Sequence, residues 1–168
     1  MVLTQIVFNN LVQIDDVSET FTFDCKFRMT WNDNRYNITQ LFPYLDNATA
    51  ANGIEISQLY YSQANPLEIW RPDLHFVDAQ EVDVMAESFR IKQQGVIYWT
   101  QHLSITLSQP EFDYHNYPLD QQTAWFRFES FSYPMNLLRI GFVNPPVQFN
   151  DAPGGDETSF SLNALWSY

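Results

Sequence analysis

Between Phe21 and Trp31 every second residue is large and apolar. Phe21, Phe23, Cys25, Phe27, Met29 and Trp31 form one series, and Thr22, Asp24, Lys26, Arg28 and Thr30 form the other. A period of two puts successive side chains on opposite faces of an extended strand, whereas a helix would wind the same residues around its whole circumference. Residues 18–31 are therefore predicted as a half-buried strand, and its apolar face requires a second layer to cover it. The pattern recurs over residues 95–107, where Trp99, Leu103, Ile105 and Leu107 oppose Thr100, His102, Ser104 and Thr106. Further strands are predicted over residues 2–14, 54–61, 81–91 and 137–143, and from Phe160 to the end, where Leu162, Ala164 and Trp166 continue an alternation. Turns are expected at Asp15-Asp16 and Gln93-Gln94-Gly95, and loops over residues 41–52 and 144–159, which are rich in Pro, Gly and small or acidic residues. Many short strands broken by frequent turns make an all-β sandwich or barrel.

Charge and cysteine usage narrow the function. A formal net charge of −12 excludes a nucleic-acid partner, whose phosphates demand Lys and Arg. The charge reads as a solvated acidic surface that serves solubility, with cation binding the alternative. The single cysteine, Cys25, forbids an internal disulfide and falls on the apolar side of its strand. No apolar run is long enough to cross a membrane as a helix, and Met1-Val2-Leu3 leads straight into strand-like sequence without an export signal. His75, His102 and His115 are scattered without metal spacing, and neither a phosphate-binding glycine loop nor a nucleophile elbow is present, so no enzyme, cofactor or metal site is expected. The acid pairs Asp15/Asp16 and Asp156/Glu157 read as solvated turns, with Ca²⁺ ligation the alternative. Asn37-Ile38-Thr39 and Asn47-Ala48-Thr49 have the form of glycosylation sequons.

One stretch is more particular. Residues 108–134 read SQPEFDYHNYPLDQQTAWFRFESFSYP. Pro118 has no N–H to give a sheet, and Tyr117-Pro118 is a candidate cis bond. Asp120 can hold a turn through its own backbone. Beyond the turn Ala124, Phe126 and Phe128 point one way, and Trp125, Arg127, Glu129 and Phe131 the other. Tyr117-Pro118-Leu119-Asp120 resembles the aromatic-Pro-x-Asp core of the signature loop of pentameric ligand-gated ion channels, the Cys-loop receptor superfamily. Pro110 and Ala124 stand where that family carries its two cysteines, so the bridge is missing, as in its bacterial members. Two further segments occur in the family's order. Trp31-Asn32-Asp33-Asn34-Arg35 resembles its Trp-x-Asp-x-Arg, and Trp70-Arg71-Pro72-Asp73 its Trp-x-Pro-Asp at binding loop A.

The resemblance implies an immunoglobulin-like β-sandwich spanning residues 1–168, the extracellular ligand-binding domain of such a channel, truncated before its final strands and without loop C or the pore. It implies assembly with identical subunits as a homopentamer, a transmembrane pore domain as partner, and a place on the extracellular or periplasmic face of a membrane. In the family the ligand sits between subunits in an aromatic box. Glu129 and Phe131, within Glu129-Ser130-Phe131-Ser132-Tyr133, are implied contacts for a small amine or zwitterion, joining a charge-assisted hydrogen bond to a cation–π contact. The alternative is that Glu129 pairs with Arg127 and Phe131 packs in the core. In loop A, His75 and Phe76 are either ligand contacts or packing, and Val77 stands where some receptors carry Tyr. On the complementary side the resemblance implies Arg28, Trp99 and Gln101, with Lys26 beside them. Lys26 and Arg28 read equally as a solvated or interface face. Asp15, Asp16, Tyr117, Pro118 and Leu119 are the implied gating contacts. A soluble β-sandwich binding module for carbohydrate or ions is the rival reading.

Overall fold

The alternating stretch becomes the middle of a sheet. The computed structural model describes residues 1–36, 54–55, 69–109, 112–117 and 119–150. Among these, the strands are β1 (Val2–Asp15), β2 (Thr20–Asn32), β3 (Ile54–Glu55), β4 (Leu74–Phe76), β5 (Ala79–Ile91), β6 (Val96–Ser108), β7 (Phe128–Ser130) and β8 (Ile140–Phe149). Six of them form one sheet in the order β3-β5-β6-β2-β1-β8, and β4 pairs with β7 in a second, two-stranded sheet. β2 is antiparallel to both neighbours, with Cys25 facing Phe8 of β1 and Leu103 of β6. Residues directly opposite in such a ladder share a face. The apolar series of β2 and β6 therefore merge into one surface, and Phe27, Cys25, Met29, Leu103, Ile105 and Leu107 are all buried.

The small sheet lies over this surface, as the sandwich requires. The Phe27 ring meets Phe76 of β4 and Phe128 of β7 edge-on, both at 5.2 Å between centroids. Phe126, just before β7, meets Phe8 and Phe23 in the same way. Edge-to-face rings at this spacing add to the burial of apolar area and fix the relative angle of the layers. The expected alternation of residues 124–129 is present, with Ala124, Phe126 and Phe128 turned to the core. Only residues 128–130 of that stretch pair as strand, however.

Gly95 shows why the β5–β6 turn needs its residue. Its φ is +76°, and a Cβ there would come within 2.2 Å of the Asp33 carbonyl oxygen. The Gly95 carbonyl in turn accepts from the Asp33 N–H at 2.8 Å. The Trp-x-Asp segment is thus fastened to that turn.

Two expectations fail at the C-terminal side. The predicted strand over residues 137–143 begins at Ile140, and residues 144–149, expected in a loop, continue it as β8. β8 runs parallel to β1, with a register shift between Thr4 and Ile6. Pro145 and Pro146 fall in that shift, where the ladder asks for no N–H. The Gln5 side chain fills the break by donating to the Pro145 carbonyl at 2.9 Å. The cis peptide is at Asn144-Pro145, while the Tyr117-Pro118 bond lies outside the described residues. The strands expected over residues 56–61 and from Phe160, the loops at residues 41–52 and 150–159 (apart from Asn150), both sequons, Asp156 and Glu157 also lie outside them.

Candidate functional site

β4 and β7 bring two distant segments together in a register that decides which side chains meet. His75 stands directly opposite Glu129, with Leu74 opposite Ser130 and Phe76 opposite Phe128. His75 Nε2 lies 3.7 Å from Glu129 Oε1, and the His75 ring stands edge-on to Phe131 at 5.7 Å. Phe131 is 81% exposed. An aromatic ring offered to solvent beside a carboxylate and an imidazole can receive a cation on its face while the carboxylate takes the charge.

Asp73 builds this corner. Its carboxylate accepts from the Ser130 hydroxyl and from the Ser132 N–H, each at 2.6 Å. Its carbonyl accepts from the Phe131 N–H at 3.1 Å. Partial burial pushes its carboxyl group up, and the bonds from Ser130 and Ser132 outweigh this, leaving it below the usual carboxylate range. The Ser130 hydroxyl also accepts from the Tyr133 N–H at 2.9 Å. Tyr133 is held from the other side, because Trp70 Nε1 donates to its hydroxyl at 3.2 Å. The brace was visible in the sequence only as part of the Trp-x-Pro-Asp segment; nothing in the spacing named Ser130 and Ser132 as its partners.

The alternative pairing does not occur. Arg127 turns to Asp78, with Nε donating to Oδ2 at 2.7 Å and Nη2 to Oδ1, and Glu129 faces His75 instead. Sharing a face two residues apart gives Arg127 and Glu129 proximity, but Asp78 offers a bidentate grip that Glu129 does not. Phe131 does not pack in the core. Phe76 does: it is buried against Phe27 and Phe128 on the opposite face from His75.

The residues grouped as a complementary wall separate. Met29 is opposite Trp99 and Phe27 opposite Gln101, which puts Trp99 and Gln101 on the inner face of the large sheet. Arg28 is opposite Thr100 and so faces the other way, donating to Gln5 Oε1 at 3.2 Å. Lys26 shares that outer face opposite His102. Trp99 stacks on Phe89 at 5.1 Å and donates from Nε1 to Glu87 Oε2 at 3.3 Å. The cation over these rings is Arg71, 4.6 Å from the Phe89 centroid and 5.7 Å from that of Trp99. Sequence reasoning passed over Arg71 because it is the variable position of its motif.

At the β1–β2 turn, the loop that carries Tyr117 and Leu119 touches Asp16 through Tyr114. Asp15 Oδ1 accepts from the N–H groups of Val17 and Ser18, which close the β1–β2 turn and hold the Asp15 carboxyl below its usual range. The Tyr114 hydroxyl donates to the Asp16 carbonyl at 2.7 Å, and Phe112 packs on Phe21 at 4.8 Å. Beyond this contact Tyr117 and Leu119 project, Leu119 being 87% exposed. Pro118 lies outside the described residues. Among the described residues no group of three or more His, Cys, Asp or Glu is placed to hold a metal ion, and no helix is long and apolar enough to cross a membrane.

Residues 1–168 match the family model described as the neurotransmitter-gated ion-channel ligand binding domain. The chain is similar to the gamma-aminobutyric acid receptor subunit gamma-1 of Rattus norvegicus and of Homo sapiens, 25% identical over 153 residues in each, covering 88% of this chain and 30% of the relative. It is similar also to the subunit alpha-6 of Gallus gallus, 26% identical over 157 residues, covering 90% of this chain and 30% of the relative. The chain therefore spans under a third of the length of these relatives.

Proposed function

This chain belongs to the neurotransmitter-gated ion-channel ligand binding domain family, a receptor family rather than an enzyme family, and we propose that His75, Glu129 and Phe131 are the principal half of its ligand site, made for a small amine. The observation that carries this is the register that sets His75 against Glu129, with Phe131 standing free beside them. Tyr133 lines the same corner through its bond with Trp70. The outward-facing carboxylate takes the ammonium group, and the ring face of Phe131 covers it, a contact of about 0.5–2 kcal/mol.

The complementary half comes from a second, identical subunit in a homopentamer. Of the residues expected there, Arg28 stands on the outer face of the large sheet and donates to Gln5, whereas Trp99 and Gln101 lie on the inner face, with Trp99 buried in the core. In the full protein the domain stands outside the membrane, and the β1–β2 turn with Tyr117, Pro118 and Leu119 rests on the pore domain. Ligand binding biases the closed–open balance through that end, by no more than its difference in affinity for the two states.

The test is calorimetric titration of the chain with primary amines, amino acids and neutral sugars. Amine binding should fall about 3- to 30-fold in Phe131→Ala, the loss of one cation–π contact, and further in Glu129→Gln. Sugar binding unaffected by either substitution would replace this reading with a carbohydrate module.

A further inference from the structure

Gln109 immediately precedes Pro110 and Gln122 lies two residues before Ala124, the two positions at which the family carries its bridging cysteines. Each glutamine makes the same unusual contact with the opposite arm of the loop. Gln109 sits at the end of β6 and is 5% exposed. Its Oε1 accepts from the Trp125 N–H at 3.1 Å, and its Nε2 donates to the Trp125 carbonyl at 3.2 Å. Gln122, on the other arm, repeats this in the reverse direction. Its Oε1 accepts from the Asp113 N–H at 3.0 Å, and its Nε2 donates to the Asp113 carbonyl at 2.9 Å. Nε2 also donates to Asp120 Oδ2 at 2.6 Å, which fixes the side chain from the turn. A side-chain amide that satisfies both polar groups of one distant residue acts as a single rung of sheet ladder. Two such rungs, one from each arm, close the loop twice over.

We propose that Gln109 and Gln122 are positioning residues that lock the loop in place of the absent disulfide, so that its tip and β7 move as one body. The same lock reaches the β1–β2 turn, since the Gln109 N–H donates to the Glu19 carbonyl at 2.8 Å and Tyr114 to that of Asp16. β7 carries Glu129, and the arm runs without interruption from Gln122 through Trp125 to that strand. The lock gives a side-chain route from the ligand corner to the projecting Tyr117 and Leu119 that no reductant can open. Its place in transmission rests on the receptor reading; the lock itself rests on the four bonds.

Amide hydrogen exchange on the chain tests it, followed residue by residue by NMR. Gln122→Ala should speed exchange at the Asp113 N–H by about ten-fold, the loss of roughly one net hydrogen bond, and leave the Trp125 N–H slow. Gln109→Ala should do the reverse. Should that buried change prevent folding, Gln109→Met and the more accessible Gln122→Ala carry the decision. In the Gln109→Ala background, Pro110→Cys with Ala124→Cys should restore slow exchange at Tyr117 and Leu119 when oxidised and lose it on reduction, while the parent ignores reductant. Unchanged exchange at both amides in the single variants overturns the lock, and so does an oxidised cysteine pair that leaves the tip fast. A failed amine titration would remove the role in transmission without touching these rates.

Discussion

The two sheets are held by different physics. The large sheet is held by its ladders: β2 and β6 pair without interruption from Thr20–Ser108 to Asn32–Val96, and the apolar face beneath them is closed. The small sheet has three-residue strands, too short to persist through backbone pairing alone. It is held from below by aromatic rings on Phe27 and from the side by Asp73. The large sheet is therefore a scaffold insensitive to any one polar group, and the small sheet is where polar substitutions act. A recognition corner built this way can shift without disturbing the core beneath it.

The largest effect should come from the ring that joins the two. Phe27→Ala removes a fully buried side chain touching both Phe76 and Phe128, at a cost of about 3–5 kcal/mol. Chemical denaturation should show the midpoint falling steeply, and exchange should rise first at Phe76 and Phe128. Equal weakening of β2–β6 and β4–β7 would mean that the two layers are not separable.

Asp73→Asn should cost less, on the order of 1–2 kcal/mol, since it replaces charge-assisted acceptance by a group that cannot accept both bonds. Its pH signature is distinct. Asp73 has a folded pKa below its unfolded value, so its contribution is present at neutral pH and is lost as the pH falls through the acid carboxylate range. The parent should lose stability on acidification through this group, and Asp73→Asn should lose less. Parallel pH profiles would show that the corner does not depend on the Asp73 charge.

How much of this was legible follows the same division. The faces of β2 and β6 could be read directly, because burial on one side imposes a period of two whatever the strand pairs with. β8 could not, because Pro145 and Pro146 signal a loop and only the ladder with β1 reveals the register shift that accommodates them. The opposition of His75 to Glu129 depends on which segments pair and in what register, and neither is encoded locally. Arg127 was offered Glu129 by sequence proximity and took Asp78. The split between Arg28 and the pair Trp99 and Gln101 is likewise a matter of register: once Met29 faces Trp99, Arg28 must face away. Both glutamine clamps were invisible, since a Gln near a loop carries no signal of its partner.

The smallest expected effect is at Arg127. It grips Asp78 in bidentate geometry just outside the small sheet, yet its side chain is 65% exposed. Exposed ion pairs lose most of their Coulomb energy to water and to the ordering of long side chains. Backbone bonding at this point does not need the guanidinium, because the Val77 N–H reaches the Arg127 carbonyl at 2.9 Å whatever the side chain. Arg127→Ala should therefore leave the denaturation midpoint almost unmoved. Any residual difference should vanish in about 1 M salt, where the screening length is roughly 3 Å. A large loss that survives such salt would mean that Arg127 acts through packing of its aliphatic stem. The small sheet would then be held from three sides rather than two.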